Sequence, residues 1–129
     1  MTPTRQEMFN RAYIGLRKQG FKLAIQKSRC VYSMGNGRRC AWGHVDTSLG
    51  PHHYGDLLAL SNAGVWGGLA AKLSTEDLQW AKELQLCHDG AARRLNGDED
   101  KEEEETYATE KLSNNLHEFA IKYSLTIPA

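Results

Sequence analysis

The chain has 129 residues, 40% hydrophobic and 25% charged, which is the size and balance of one folded globule and excludes a disordered or fibrous chain. No apolar run approaches the ~20 residues of a membrane span, and Met1-Thr2-Pro3-Thr4-Arg5-Gln6-Glu7 lacks the apolar segment of a signal peptide. Formal net charge is zero, yet residues 1–45 hold nine Lys/Arg against the acid Glu7, and residues 46–129 hold seven against fifteen Asp/Glu. Such asymmetry is a clue to partners rather than to fold.

Thr4-Arg5-Gln6-Glu7 matches a capping box, in which Thr4 caps one free amide and Glu7 reaches back to another. Phe9, Ala12, Tyr13 and Leu16 follow at i, i+3, i+4 and i+7, which predicts an amphipathic helix ended by Gly20. Phe21, Leu23 and Ile25 then alternate with Lys22 and Ala24. Next come Cys30-Val31-Tyr32-Ser33-Met34, the turn Gly35-Asn36-Gly37, and Arg38-Arg39-Cys40-Ala41-Trp42. Asn-Gly between two β-prone runs predicts a hairpin, whose register the sequence leaves open. Residues 46–56 read as a loop punctuated by Gly50-Pro51, and Leu57-Leu58-Ala59-Leu60 as a short helix. Gly64, Gly67 and Gly68 around Trp66 suggest a bend.

Ser74-Thr75-Glu76-Asp77 opens a second long helix with capping chemistry and early acids. Its buried face is Trp80, Leu84, Cys87, Ala91 and Leu95, with Ala81 and His88 alongside, and Asn96-Gly97 stops it. The acidic run 98–105 reads as a solvated loop passing into a third helix, which carries Ala108, Leu112, Leu116, Phe119, Ala120 and Tyr123 on one face. Three amphipathic helices plus one hairpin predict a single, mostly helical α+β domain over residues 1–129, built in two layers. A lone hairpin is barely stable, so Tyr32 and Trp42 are expected to clamp it to the helices.

Four constellations could carry chemistry. Cys30, Cys40, His44 and His88, with Cys87 nearby in sequence, are zinc-type ligands, but their spacing is not the paired C-x₂₋₄-C of structural sites. On an extended strand Cys40 and His44 would lie ~13 Å apart, and only a turn at Gly43 could join them. Zinc is therefore not favoured, and no cofactor is expected. Cys87-His88-Asp89 resembles a triad in print, yet neighbouring helical side chains point ~100° apart. The odd count of Cys30, Cys40 and Cys87 implies reduced thiols, as in a cytoplasm. His88-Asp89 on a helix resembles the core of the HD phosphohydrolases, which also need an upstream His, such as His52 or His53, and a downstream Asp, such as Asp98 or Asp100. Last, Lys22, Lys27, Arg29, Arg38 and Arg39 gather around the hairpin, Tyr32, Trp42 and Trp66 could stack a base, and His44 ends the segment.

Met8-Phe9-Asn10, Leu16-Arg17-Lys18-Gln19-Gly20, Cys30-Val31-Tyr32, Gly37-Arg38-Arg39-Cys40-Ala41-Trp42-Gly43-His44, Leu86-Cys87-His88-Asp89 and Phe119-Ala120-Ile121-Lys122-Tyr123 occur in this order. In this the chain resembles a small family of uncharacterised proteins of tailed phages and prophages. Relatives tend to carry Cys or His at the place of His44, and often Gly where this chain has Ser124. The resemblance implies a phage origin, an accessory role in the host cytoplasm, and no assignable catalytic residue.

These readings lead to an expected non-enzymatic binder, an inhibitor or ligand-sequestering protein that counters host defence. Its expected site is Arg29, Tyr32, Arg38, Arg39, Trp42, His44 and Trp66. Its expected partner is a host protein or a phosphate-bearing small molecule, with no membrane role. The alternatives are a metal-dependent nucleotide hydrolase using His88 and Asp89, and a nucleic-acid-binding module using the basic N-terminal half.

Overall fold

In the first helix, α1 (Arg5–Lys18), the capping box forms as expected: Glu7 N–H donates to Thr4 Oγ1 at 3.1 Å, and Thr4 N–H to Glu7 Oε1 at 3.1 Å. Its buried face is Met8, Phe9, Ala12, Tyr13 and Leu16. Gly20, at φ 71°, ends it in a Schellman turn: Gly20 N–H bonds Arg17 O at 3.0 Å and Phe21 N–H bonds Leu16 O at 2.8 Å. The computed structural model describes residues 2–26, 29–34, 37–50, 56–91 and 101–129, with backbone alone at 26, 29–30, 64–67 and 101–105.

Extended structure after α1 is minimal. Strand β1 (Ile25–Gln26) pairs antiparallel with β2 (Arg29–Cys30), Ile25 opposite Cys30 and Gln26 opposite Arg29. A single bridge joins Ser33 to Arg39. Helix α2 (Ala41–Val45) follows at once, then α3 (Leu57–Asn62), a 3₁₀ segment (Gly64–Lys72), α4 (Thr75–Ala91) and α5 (Lys101–Lys122).

The α+β, two-layer expectation is therefore corrected: the chain is all-α. Pairs two residues long make no layer, and the expected second strand, Arg38 to Trp42, gives way to helix at Ala41. Residues 35–36 of the expected Asn-Gly turn lie outside the described residues. The physical reason is the fate of Trp42. Helix α2 packs on both α1 and α4, and there the indole is 0% exposed. Full burial of a side chain that size is worth ~2–3 kcal/mol, whereas a two-stranded ribbon with no covered face is marginal. Cys40 makes the switch locally possible, because its thiol caps α2 by accepting the Gly43 N–H at 3.4 Å.

The short helix expected at 57–60 is present as α3, opened by Asp56, whose Oδ1 accepts Ala59 N–H at 2.8 Å. The expected bend is a kink inside the 3₁₀ segment at Gly68, φ 59°. A Cβ there would lie 2.3 Å from Asp46 Oδ2, the atom that accepts Leu69 N–H at 2.9 Å. Asp46 Oδ1 takes the Ser48 amide and hydroxyl, so this buried carboxylate joins the loop after α2 to the kink.

On α4, Trp80, Ala81, Leu84, Cys87, His88 and Ala91 are buried, as the periodicity requires, while Leu95 and the stop at 96–97 lie outside the described residues. Helix α5 buries Ala108, Leu112, Leu116, Phe119 and Ala120 against it. It begins at Lys101, inside the stretch expected as loop, and residues 98–100 lie outside the described residues. The rings of Phe9, Trp80, Phe119 and Tyr123 form one cluster linking α1, α4 and α5, with Phe9 and Phe119 stacked at 6.0 Å. The last residues lie along α1: Gln6 exchanges two 2.9 Å hydrogen bonds with the backbone of Thr126, and Arg17 donates to Pro128 O and Ala129 O.

Candidate functional site

On α4, Gln85 and His88 are committed to structure. Gln85 and Asp89, one turn apart, share a face. Gln85 Oε1 accepts the Trp42 N–H at 2.8 Å, satisfying a free amide of α2, and Gln85 Nε2 donates to Asp89 Oδ1 at 2.9 Å. His88 is 0% exposed. Its Nε2 accepts the Ala24 N–H at 3.0 Å, which places the ring proton on Nδ1, 3.0 Å from Asp89 Oδ1. Both ring nitrogens are thus occupied, and no lone pair remains for a metal of the HD type. Among the described residues no three His, Cys, Asp or Glu converge as a metal site.

The thiols point the same way. Burial pushes Cys40 up to about 12 and Cys87 up to about 12, so neither supplies the thiolate that nucleophilic attack or zinc binding requires. The Cys30 side chain lies outside the described residues. The turn at Gly43 does exist: it sets Cys40, the N-cap of α2, one turn before His44, whose N–H donates to Cys40 O at 3.2 Å. Gly43 is confined there, since a Cβ on it would sit 2.0 Å from Tyr32 O.

Of the seven residues expected to bind a partner, the structure separates most. Trp42 is 0% and Tyr32 5% exposed, so both pack inside the fold and neither presents a ring for stacking. Arg39 is tied to the fold: its Nη1 donates to Gly43 O at 3.2 Å and Leu49 O at 2.9 Å. Arg38 is half-buried. The side chains of Arg29 and Trp66 lie outside the described residues. His44 lines the open groove between α1 and α2.

That groove, about 570 Å³, runs between α1 and α2 and is lined by Asn10, Arg11, Ile14, Gly15, Lys18, Gln19, Gly37 and His44. Gln19 organises it. Its amide pairs with the backbone of Arg39 in both directions, accepting N–H at 3.1 Å and donating to O at 2.8 Å, which fixes which end is oxygen. His44 Nε2 lies 2.8 Å from the same Gln19 oxygen and so donates to it. Burial first, then the charge of Arg39, pulls His44 down to about 4, so its imidazole is neutral at pH 7. Its ring lies flush on α1: a Cβ on Gly15 would come within 2.3 Å of it. Arg11 and Lys18 are exposed on the rim, and among the described residues no carboxylate lines the groove.

Compared with known proteins, the chain matches no family model, no curated protein and no solved structure.

Sequence reasoning missed Asn10, Arg11, Lys18 and Gln19 as site residues. A signal was present: Arg11, Ile14, Gly15 and Lys18 stand at i, i+3, i+4 and i+7, a stripe displaced from Phe9, Ala12, Tyr13 and Leu16. A second, smaller cavity of about 270 Å³ lies where α3 begins beside α4, lined among others by Tyr32, Cys40, Asp56, Lys82, Gln85 and Asp89.

Proposed function

We propose that the protein works by binding, and that the groove between α1 and α2 takes a small phosphate-bearing molecule. The observation that carries this reading is the lining of the groove: Arg11 and Lys18 as cations, Asn10 as a further donor, and, among the described residues, no carboxylate to repel an anion. Arginine and lysine together supply a forked and a mobile donor for phosphate oxygens. The groove's volume falls in the range of small-molecule sites. A hydrolase built on His88 and Asp89 has no such support, because the imidazole has no free nitrogen. In this reading the basic N-terminal half faces the ligand, and the protein is a sequestering accessory protein of the tailed-phage type, acting in the host cytoplasm.

The test is calorimetric titration with nucleoside mono-, di- and triphosphates at two salt concentrations. Binding should weaken as salt rises, since exposed charges are screened. Arg11→Glu with Lys18→Glu should weaken it roughly tenfold or more, as expected for loss and reversal of charged hydrogen bonds. Arg11 contributes one long 3.4 Å bond to Val45 O and Lys18 is exposed, so the pair should leave the melting temperature nearly unchanged. Equal binding by wild type and variant, or no binding by wild type, would overturn the reading.

A further inference from the structure

The cavity beside α4 has a different chemistry from the groove. At about 270 Å³ it suits a ligand at or below the small end of the usual range. Two carboxylates line it, and the protein orients each through one oxygen. Asp56 Oδ1 caps α3 through Ala59 N–H, and Asp89 Oδ1 holds Gln85 Nε2 and His88 Nδ1. A carboxylate offers about four acceptor positions, so both keep lone pairs beyond these bonds. The Asp89 side chain remains 37% exposed. Both carboxylates act on the buried Tyr32 hydroxyl from the same region, adding to the upward push of its burial. Lys82 lines this cavity too, yet it makes no ion pair with either acid among the described residues. Leu57 and Leu86 supply apolar wall.

Oriented carboxylates, an ammonium that pairs with neither of them and an apolar wall around one small space form a pattern complementary to a small zwitterion. We propose that this cavity binds an α-amino acid with an aliphatic side chain. Asp56 and Asp89 receive its ammonium, Lys82 receives its carboxylate, and Leu57 and Leu86 cover its side chain. The same charges discriminate. A simple amine would bring a second cation beside Lys82, and a simple acid would bring a third carboxylate beside the two aspartates.

The test uses three probes of one shape on the full chain: L-leucine, 3-methylbutylamine and 4-methylpentanoate, followed by amide chemical shifts. L-Leucine should move the amides of residues 56–59 and 82–89 and bind roughly tenfold or more tightly than either half-molecule, since each loses one charged contact. Lys82→Met should lower leucine affinity to that of the amine. Asp89→Asn, which keeps an oxygen for Gln85 and His88, should weaken leucine by about tenfold. The proposal fails if leucine moves no amide around the cavity, if the three probes bind alike, or if folded variants bind leucine as wild type does. The three-probe comparison needs no substitution, so it decides the matter even where a variant fails to fold.

Discussion

Ser124 shows how one residue can sit against its own preference. It holds φ 55° just past α5, and its amide bonds Ile121 O at 3.3 Å while Leu125 N–H bonds Ala120 O at 2.8 Å. This is the same Schellman turn that Gly20 makes after α1, with serine in the left-handed position. A side chain there costs ~1–2 kcal/mol, partly offset because glycine leaves the unfolded chain more freedom. Ser124→Gly should therefore stabilise the fold by about 0.5–1 kcal/mol, read as a higher urea midpoint at unchanged slope. Gly15 and Gly43 are fixed by the opposite constraint, close approach, since the His44 ring and the Tyr32 carbonyl fill the space a Cβ would need.

At the scale of elements, side-chain amides do the joining. Gln6 and Gln19 bracket α1, one pairing with the backbone of Thr126 and the other with that of Arg39. Gln85 ties α4 to α2 through the Trp42 amide and holds Asp89 in place. Replacing it by leucine keeps the size but strands a buried N–H and frees Asp89. Gln85→Leu should thus cost about 1–3 kcal/mol, the penalty for an unsatisfied buried donor. Chemical denaturation would measure it, and a cost near zero would mean α2 is not held this way. The length of α2 also explains why it was illegible. Five residues give little more than one turn, too few for a period to show, and Ala41-Trp42 following Arg38-Arg39-Cys40 reads equally as strand.

For the whole molecule, the half-buried imidazole of His44 sets a pH dependence. His44 has its pKa lowered from 6.5 to about 4 in the folded chain, so the unfolded chain binds more protons between those values. Stability must then fall as pH drops from about 6.5 toward 4, because protonation favours the unfolded state. Carboxylates begin to titrate at the lower end of that window, so wild type should be compared with His44→Gln. The melting temperature of wild type should fall more steeply across the window than that of the variant, and parallel curves would contradict the depressed value. The same packing also parts the charges. Arg39 turns inward to backbone carbonyls, while Arg11 and Lys18 stay on the rim of the groove between α1 and α2.

Local chemistry written along the chain was enough for the long helices. The capping box at Thr4, the stop at Gly20, and the buried stripes of α1, α4 and α5 all follow from periodicity and caps, which act within a few turns. Burial of Cys87 and His88 was legible for the same reason. The tertiary structure alone decided what became of residues 38–45 and which polar groups meet. Whether Trp42 ends a strand or starts a helix depends on the surface that α1 and α4 offer it, and no local window contains that surface. Likewise His88 meets Ala24 across 64 residues and Gln19 meets Arg39 across 20, so which nitrogens and cations remain available to a ligand was set by packing.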